Sequence, residues 1–371
     1  MQSHHVTLPL SGTDMIGLGA EQNSAFCVTQ NNNAFLFTGF GNIQNYTNFT
    51  RYVEAIQNTC RDLHINPAIA VCDMHPEYVS TRYAKSGIFQ HVIETQHHHA
   101  HIVSCMVEHS LNCKVIGVAM DGMGYGADGT IWGGEFLLCN FSSYKRMYHL
   151  KQYKLPGGDT ATLYPERMAF SYLYTELGDD PIIEHVLPQL SNTLKDNLKQ
   201  MIDNNFCSPL TSSTGRLFDA VSAILGFRGK VTSPAQPAIK LQCMAEQAPD
   251  ETSFYPFKIE NNIVDFGPAI LQIARDFLNG INPCIIASRF HNTLAYAILD
   301  VSIKIRAEEN THIVVLSGGV FNNKLLTSRA DTLLHQNNFT VYQHKKFNPG
   351  DETLPLGQVA IALSLNQPAG K

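Results

Sequence analysis

No run of apolar residues in this chain of 371 approaches the ~20 needed to cross a bilayer as a helix. Residues 1–14 contain no charged stretch followed by an apolar one, so a signal peptide is not expected. Basic residues are fewer than acidic ones, 26 against 32, and they form no stripe, which argues against a nucleic-acid partner. Nine cysteines are scattered without any C-x-x-C pair, which excludes a zinc ribbon or a dithiol redox motif. Several stand in apolar surroundings, as in Val71-Cys72 and Leu138-Cys139, and read as buried free thiols in a reducing compartment. A cytoplasmic protein with no membrane contact is the expectation. There is also no G-x-x-x-x-G-K-[ST] loop, so a P-loop nucleotide site is excluded.

What is present is a globular composition, 44% apolar and 16% charged, on a chain long enough for two lobes. Ile16–Gly19 and Ser24–Thr29 read as a pair of strands, Gln30–Asn33 as a turn, and Ala34–Phe37 as a third apolar run. Phe49, Tyr52, Val53, Ile56, Cys60 and Leu63 recur at helical spacing, and Ala68–Cys72 is a short buried strand ending at Asp73. This order predicts an α/β fold with a mixed sheet. The pattern returns with buried strands at Val115–Met120 and Ile313–Leu316, a late strand at Phe339–Gln343 and a closing helix at Leu354–Leu365. Residues 144–210 show helical patterns and few strand signals, and are expected to form an insertion on the second lobe.

Three motifs carry chemistry. In Gln96-His97-His98-His99-Ala100-His101, the pair His97 and His101 is spaced i, i+4 and shares one face if the segment is helical. Two imidazoles so placed suit a borderline metal such as Zn or Fe, but are equally compatible with a tight turn or with core histidines bonded to backbone. Met120-Asp121-Gly122-Met123-Gly124-Tyr125-Gly126 follows a buried strand and lets backbone N–H groups approach an anion, or is an ordinary glycine-rich turn. Leu316-Ser317-Gly318-Gly319 ends another buried strand at a helix start, where amides and dipole favour a phosphate. Two such turns facing one cleft suggest a nucleotide between them. Asp219, His291 and Asp351 are isolated polar residues in apolar or glycine settings, and Asp351 also reads as a helix N-cap.

Asp73-Met74-His75-Pro76-Glu77-Tyr78-Val79-Ser80-Thr81-Arg82-Tyr83-Ala84 resembles the D-x-H-P-x-Y-x-S-T-x-x-A signature of HypF, the [NiFe]-hydrogenase maturation carbamoyltransferase family. The His-rich segment 96–101, the glycine hairpin 121–136, Leu155–Asp159, Gly215–Asp219, Arg289–Asn292 and Leu316–Asn322 are similar to that family in the same order, over about residues 16–366. The resemblance implies an ASKHA (actin-like, ribonuclease H-like) fold of two lobes around a nucleotide cleft. It implies a first lobe of residues 14–112 plus a C-terminal helix at 352–367, and a second lobe of 113–345 that includes the insertion. By the same resemblance one divalent metal ion, Zn or Fe, is expected on His97, His101 and Asp351. ATP or carbamoyl-adenylate is expected on Asp121, Gly122, Gly124, Gly126, Gly318, Gly319 and Asn322, with Asp219 at the ribose. His291 is the expected base.

Family members pass the carbamoyl group of carbamoyl-adenylate to the C-terminal cysteine of HypE, towards the cyanide ligands of iron. The expected partners are therefore the HypE tail and a YrdC-like adenylate-forming domain, in cis or in trans, because the resemblance does not extend to that domain. Two segments depart from the family pattern: Ala20–Ser24 replaces Glu-x-Lys-Asn, and Ser233-Pro234-Ala235-Gln236-Pro237 replaces Tyr-Glu-Gly-Gln-Ala. The alternatives are a small-molecule acceptor for the same donor, which predicts a closed pocket, and a nucleotide-binding partner without turnover.

Overall fold

A computed structural model describes residues 2–366. The first part of the chain runs β1 (Gln2–Gly12), β2 (Met15–Gly17), β3 (Phe26–Thr38), α1 (Tyr46–Asp62), β4 (Ile69–Asp73), α2 (Val79–Ala84), β5 (His91–Thr95) and α3 (His97–Glu108). Its sheet has the order β1-β3-β2-β4-β5, antiparallel up to β2 and parallel beyond it. The asparagine run expected as a turn lies inside one long strand. Asn31, at φ +57°, pairs with Gly12, and the ladder is irregular on the β1 side, where residues 8–11 are the extra ones between Thr7 and Gly12.

The second part opens with β6 (Val115–Tyr125), β7 (Ile131–Cys139), β8 (Tyr144–Leu150) and β9 (Tyr153–Lys154). Then come α4 (Asp159–Leu163), α5 (Glu166–Leu177), α6 (Ile182–Val186), α7 (Asn192–Asp203), β10 (Leu210–Thr211), α8 (Thr214–Ile224) and α9 (Gln236–Ala245). It closes with β11 (Lys258–Glu260), β12 (Ile263–Asp265), α10 (Gly267–Leu278), α11 (Pro283–Glu309), β13 (Ile313–Ser317), α12 (Lys324–Gln336), β14 (Thr340–Gln343) and α13 (Leu354–Leu365). The second sheet has the order β11-β12-β8-β7-β6-β13-β14. β6, β7 and β8 are antiparallel, while β6, β13 and β14 are parallel. The helical stretch expected from residue 144 therefore opens with a sheet strand, β8, and its helices begin at Asp159. Broken alternation hid that strand: Lys145 and Arg146 stand side by side, and the ladder to β7 slips between Arg146 and Tyr148.

Two helices form the layer between the sheets. α3 packs on β6, β7 and β13, and α13 packs on β1, β2, β3 and β4. Because α13 is enclosed on nearly all sides, its sequence Leu-Pro-Leu-Gly-Gln-Val-Ala-Ile-Ala-Leu-Ser-Leu has no polar face, and Pro355 sits in its first turn. The end of this helix expected at 367 lies outside the described residues. Gly357 lets the two helices touch: a Cβ there would enter the backbone of Ala100. One continuous core joins Ile102, Val103 and Met106 of α3 to Leu137 and Val315 of the second sheet and to Val359 and Ala360 of α13. Fully burying each Val or Leu in such a core contributes about 1.5–3 kcal/mol. The two lobes are thereby held as one body, with the N-terminal turn of α3 facing the cleft.

Candidate metal and nucleotide site

The His-rich segment is a helix from its first histidine. Gln96 caps α3 by accepting from the His99 N–H at 2.9 Å, so His97 and His101 lie one turn apart on the same face. Both are fully buried. Asp121 arrives from β6, where the ladder to β7 slips between Met120 and Gly124 and residues 121–123 bulge out of register. Asp351 comes from a 3-10 turn, Asp351–Thr353, just ahead of α13. The His97 Nε2 lies 3.4 Å from Asp121 Oδ2 and 3.8 Å from Asp351 Oδ1, and the His101 Nε2 lies 3.8 and 3.5 Å from the same atoms. One donor atom from each of these four residues falls within 4.8 Å of the others.

The group has the character of a cation site. Neither Nε2 has a hydrogen-bond partner although both are buried, and the carboxylates opposite are too far for well-formed bonds. Burial favours the neutral form of each group. The attraction between imidazoles and carboxylates outweighs it, holding His97 above its ordinary range and Asp121 well below the usual carboxylate range. Two imidazoles and two carboxylates, with no thiolate, make a donor set that fits Zn or Fe. Asp73 supports it from behind: its Oδ2 accepts from His97 Nδ1–H at 2.7 Å, which leaves the Nε2 lone pair facing the group. In the sequence Asp73 closes an apolar strand and opens the D-x-H-P segment, but nothing there assigned it a part at the metal.

The second glycine turn meets this group directly. The Gly319 N–H donates to Asp121 Oδ1 at 2.8 Å, and Gly318 sits at φ +101° with its Cα side against the Met120 backbone. Gly318 and Gly319 therefore lie beside Asp121, and Asn322 reaches back to the Gly319 carbonyl at 3.0 Å from an exposed position. Asp121, expected among the phosphate contacts, turns its carboxylate to the two histidines instead. The other hairpin glycines divide. Gly122 has open space where a side chain would stand, whereas Gly124 is filled by the His97 and His98 rings and Gly126 by Trp132. Packing, not contact with an anion, accounts for Gly124 and Gly126. Gly215 at the start of α8 touches Gly122, and Asp219 one turn on is buried against Arg216, the nearest N–O separation being 2.7 Å. Burial lifts the Asp219 carboxyl to about 6.

His291 does not fit its expected part. It is fully buried in α11, its Nδ1–H donates to the Ala287 carbonyl at 2.8 Å, and its Nε2 accepts from the Asn323 amide at 2.9 Å. Burial pushes the ring down to about 4. With both nitrogens engaged it has none to take a proton from an acceptor, and it serves to lock α11 to the cap of α12. The neighbouring Asn292 and Arg289 likewise tie α11 to residues 251–253.

Residues 11–108 match the HypF Kae1-like domain, and residues 117–358 match the second subdomain of the carbamoyltransferase Kae1-like domain. Carbamoyltransferase HypF of Synechocystis is 31% identical over 98% of this chain and 49% of its own length. Probable carbamoyltransferase HypF of Methanocaldococcus jannaschii is 32% identical over 93% of this chain and 46% of its own. A HypF homolog of Cupriavidus necator is 28% identical over 96% of this chain and 93% of its own length. The chain thus spans about half the length of the first two relatives and nearly all of the third. The structure superposes on full-length HypF in a phosphate- and nucleotide-bound form with a TM-score of 0.94 and 34% identity, over 99% of this chain and 58% of that one. Against HypF of T. kodakarensis the TM-score is 0.88 at 27% identity, over 97% and 48% of the two chains. The paired mixed sheets are accordingly the two lobes of an actin-like (ASKHA) fold. The chain belongs to the HypF carbamoyltransferase family, and it corresponds to the Kae1-like region of that family.

Proposed function

We propose that this chain catalyses carbamoyl transfer from carbamoyl-adenylate to the C-terminal cysteine thiol of HypE, in the maturation of [NiFe]-hydrogenase. The observation that carries the reading is the convergence of His97, His101, Asp121 and Asp351 on one point beside the Gly318-Gly319 turn, in a chain whose relatives are named carbamoyltransferases. A divalent cation bound there would neutralise charge on the nucleotide phosphate and on the departing AMP. The Gly318-Gly319 turn leads into α12, its Gly318 and Gly319 N–H groups being held by the Pro349 carbonyl and Asp121, and open space lies where a Gly122 side chain would stand, which leaves room for an approaching phosphate. Asp219 stands one turn into α8, whose start packs on Gly122, and is the residue for the ribose hydroxyls.

In the transfer itself the acceptor sulfur forms a bond to the carbamoyl carbon, and the bond from that carbon to the phosphate oxygen breaks. The electron pair leaves with AMP, and the thiol proton is given up to water when the acceptor ionises before the attack. The chain's own share is to hold the mixed anhydride and the thiolate together and to keep charged groups oriented in a dry cleft. Carbamoyl-adenylate is supplied by a YrdC-like domain in cis or in trans.

The test is the intact mass of HypE after incubation with this chain, ATP, carbamoyl phosphate and a separately supplied YrdC-like domain. A carbamoyl adduct on the terminal cysteine, lost in a His97→Ala/His101→Ala variant, is the expected result. No adduct while the chain still binds nucleotide would overturn the acceptor assignment.

A further inference from the structure

The four candidate ligands come from distant parts of the sequence, and one buried histidine bridges α3 to the end of β13, beside the turn that holds Asp121. His344 follows β14, and its side chain and that of Glu108 are 1% and 2% exposed. The His344 Nδ1–H donates to Glu108 Oε2 at 2.8 Å, so the opposite nitrogen is an acceptor. That Nε2 lies 3.1 Å from Ser317 Oγ and 3.5 Å from Ser104 Oγ. Glu108 is on the last turn of α3, and its other oxygen accepts from the Lys345 and Lys346 N–H groups at 2.8 and 2.6 Å.

The contacts lead to α3, which carries His97 and His101, and to the turn that holds Asp121. Ser317 is followed by Gly318 and Gly319, whose N–H holds Asp121 Oδ1 at 2.8 Å. Ser104 stands three residues beyond His101, donates to its carbonyl at 2.8 Å, and lies 3.2 Å from Thr353 Oγ1 in the turn that carries Asp351. The serine, histidine and glutamate are arranged as in a hydrolytic triad, but Ser317 is fully buried at the end of β13, so it has no path to a substrate. What remains is orientation. A hydrogen-bonded ring that ends on backbone and on Asp121 fixes where ligands stand, as outer partners of metal ligands do.

We propose that His344, oriented by Glu108, is a positioning residue for the cation site, and sets the relative placement of α3, the Gly318-Gly319 turn and the Asp351 turn. The inference rests on the cation reading of His97, His101, Asp121 and Asp351. Glu108→Gln preserves the shape and the acceptor for the Lys345 and Lys346 amides, but presents an amide to His344, so the ring must reverse its tautomer.

The experiment titrates the full chain with Zn2+ by calorimetry, and with Co2+ while recording its visible absorption, for wild type, His344→Ala, Glu108→Gln and His97→Ala/His101→Ala. His344→Ala is expected to weaken Zn2+ binding by on the order of tenfold or more, with an altered cobalt spectrum and an unchanged far-ultraviolet circular dichroism spectrum. Glu108→Gln is expected to fall between it and wild type. Zn2+ affinity within about twofold of wild type and an identical cobalt spectrum in His344→Ala would overturn the positioning role. If that variant does not fold, the same outcome in Glu108→Gln overturns it. Wild type binding Zn2+ no better than the double-histidine variant overturns the cation reading, and this inference with it.

Discussion

His97 Nδ1 stands 2.7 Å from Asp73 Oδ2, and neither side chain is exposed. The contact joins the end of β4 to the first residue of α3, so the sheet of the first lobe sets the rotation of the imidazole. Asp73 Oδ1 also accepts from the His75 N–H at 2.9 Å, which fixes the carboxylate plane.

Asp73→Asn keeps an oxygen for the His75 amide, but can present its NH2 to His97 and disturb the tautomer. Zn2+ affinity is expected to fall about 10–100-fold. Calorimetry on the purified variant checks this, and an unchanged dissociation constant would show that Asp73 does not orient the ring.

Gly319→Ala probes the glycine turn without replacing a candidate ligand. A Cβ there would lie 2.9 Å from Asp121 Oδ1, closer than side chains tolerate, so the carboxylate must shift. Loss of cation affinity with a fall in stability of about 1–2 kcal/mol is the expected pattern. Retained affinity would mean that Asp121 can move without consequence.

Ala235 occupies the place where the family pattern has glycine, and it sits at φ +54° at the N-cap of α9. A left-handed conformation costs a residue with a Cβ roughly 1 kcal/mol relative to glycine. Ala235→Gly should therefore raise the stability measured by urea unfolding by about that much, despite the added freedom of the unfolded chain. A lower midpoint would show that the strain is relieved elsewhere.

Acid should destabilise the fold through its buried neutral histidines. Burial lowers both His99 and His291 from 6.5 to about 4, so the folded state resists a proton that the unfolded chain accepts. Their contribution is complete above pH 6.5 and is lost as pH falls towards 4, by roughly 3 kcal/mol for each ring. His97 and His101 are shifted upward and act in the opposite sense. His291→Gln should thus lose less stability than wild type between pH 7 and 5, as read by urea unfolding at each pH. Equal losses would remove His291 from this account.

The elements whose signal is local were visible in the sequence: the buried strands ending at Asp73, Met120 and Leu316, the amphipathic α1 and the apolar α13. So was the pairing of His97 with His101, because i, i+4 spacing on a helix needs no tertiary information. β8 was missed because a slip in its ladder breaks the alternation, and the Asn run was misread because pairing with β1 holds these turn-favouring residues inside a strand. Asp121 was placed with the phosphate because nothing local reveals that residues 121–123 leave the ladder. The expected base at His291 failed for a related reason: a polar residue in an apolar helix looks alike whether it faces a cleft or bonds to the next helix.

α13 packs into the first sheet, yet its residues follow everything else in the described chain. During synthesis β1 to α3 emerge long before the helix that covers them, and Asp351 reaches His97 across more than half the sequence. The first lobe must therefore wait, with its apolar face bare, until the second lobe has been made. Contacts of such long sequence separation are slow to form and expose the waiting surface to aggregation. Any ligand that bridges His97 and Asp351 would be bound only after both lobes have been made, so occupancy of the site would report that they have joined.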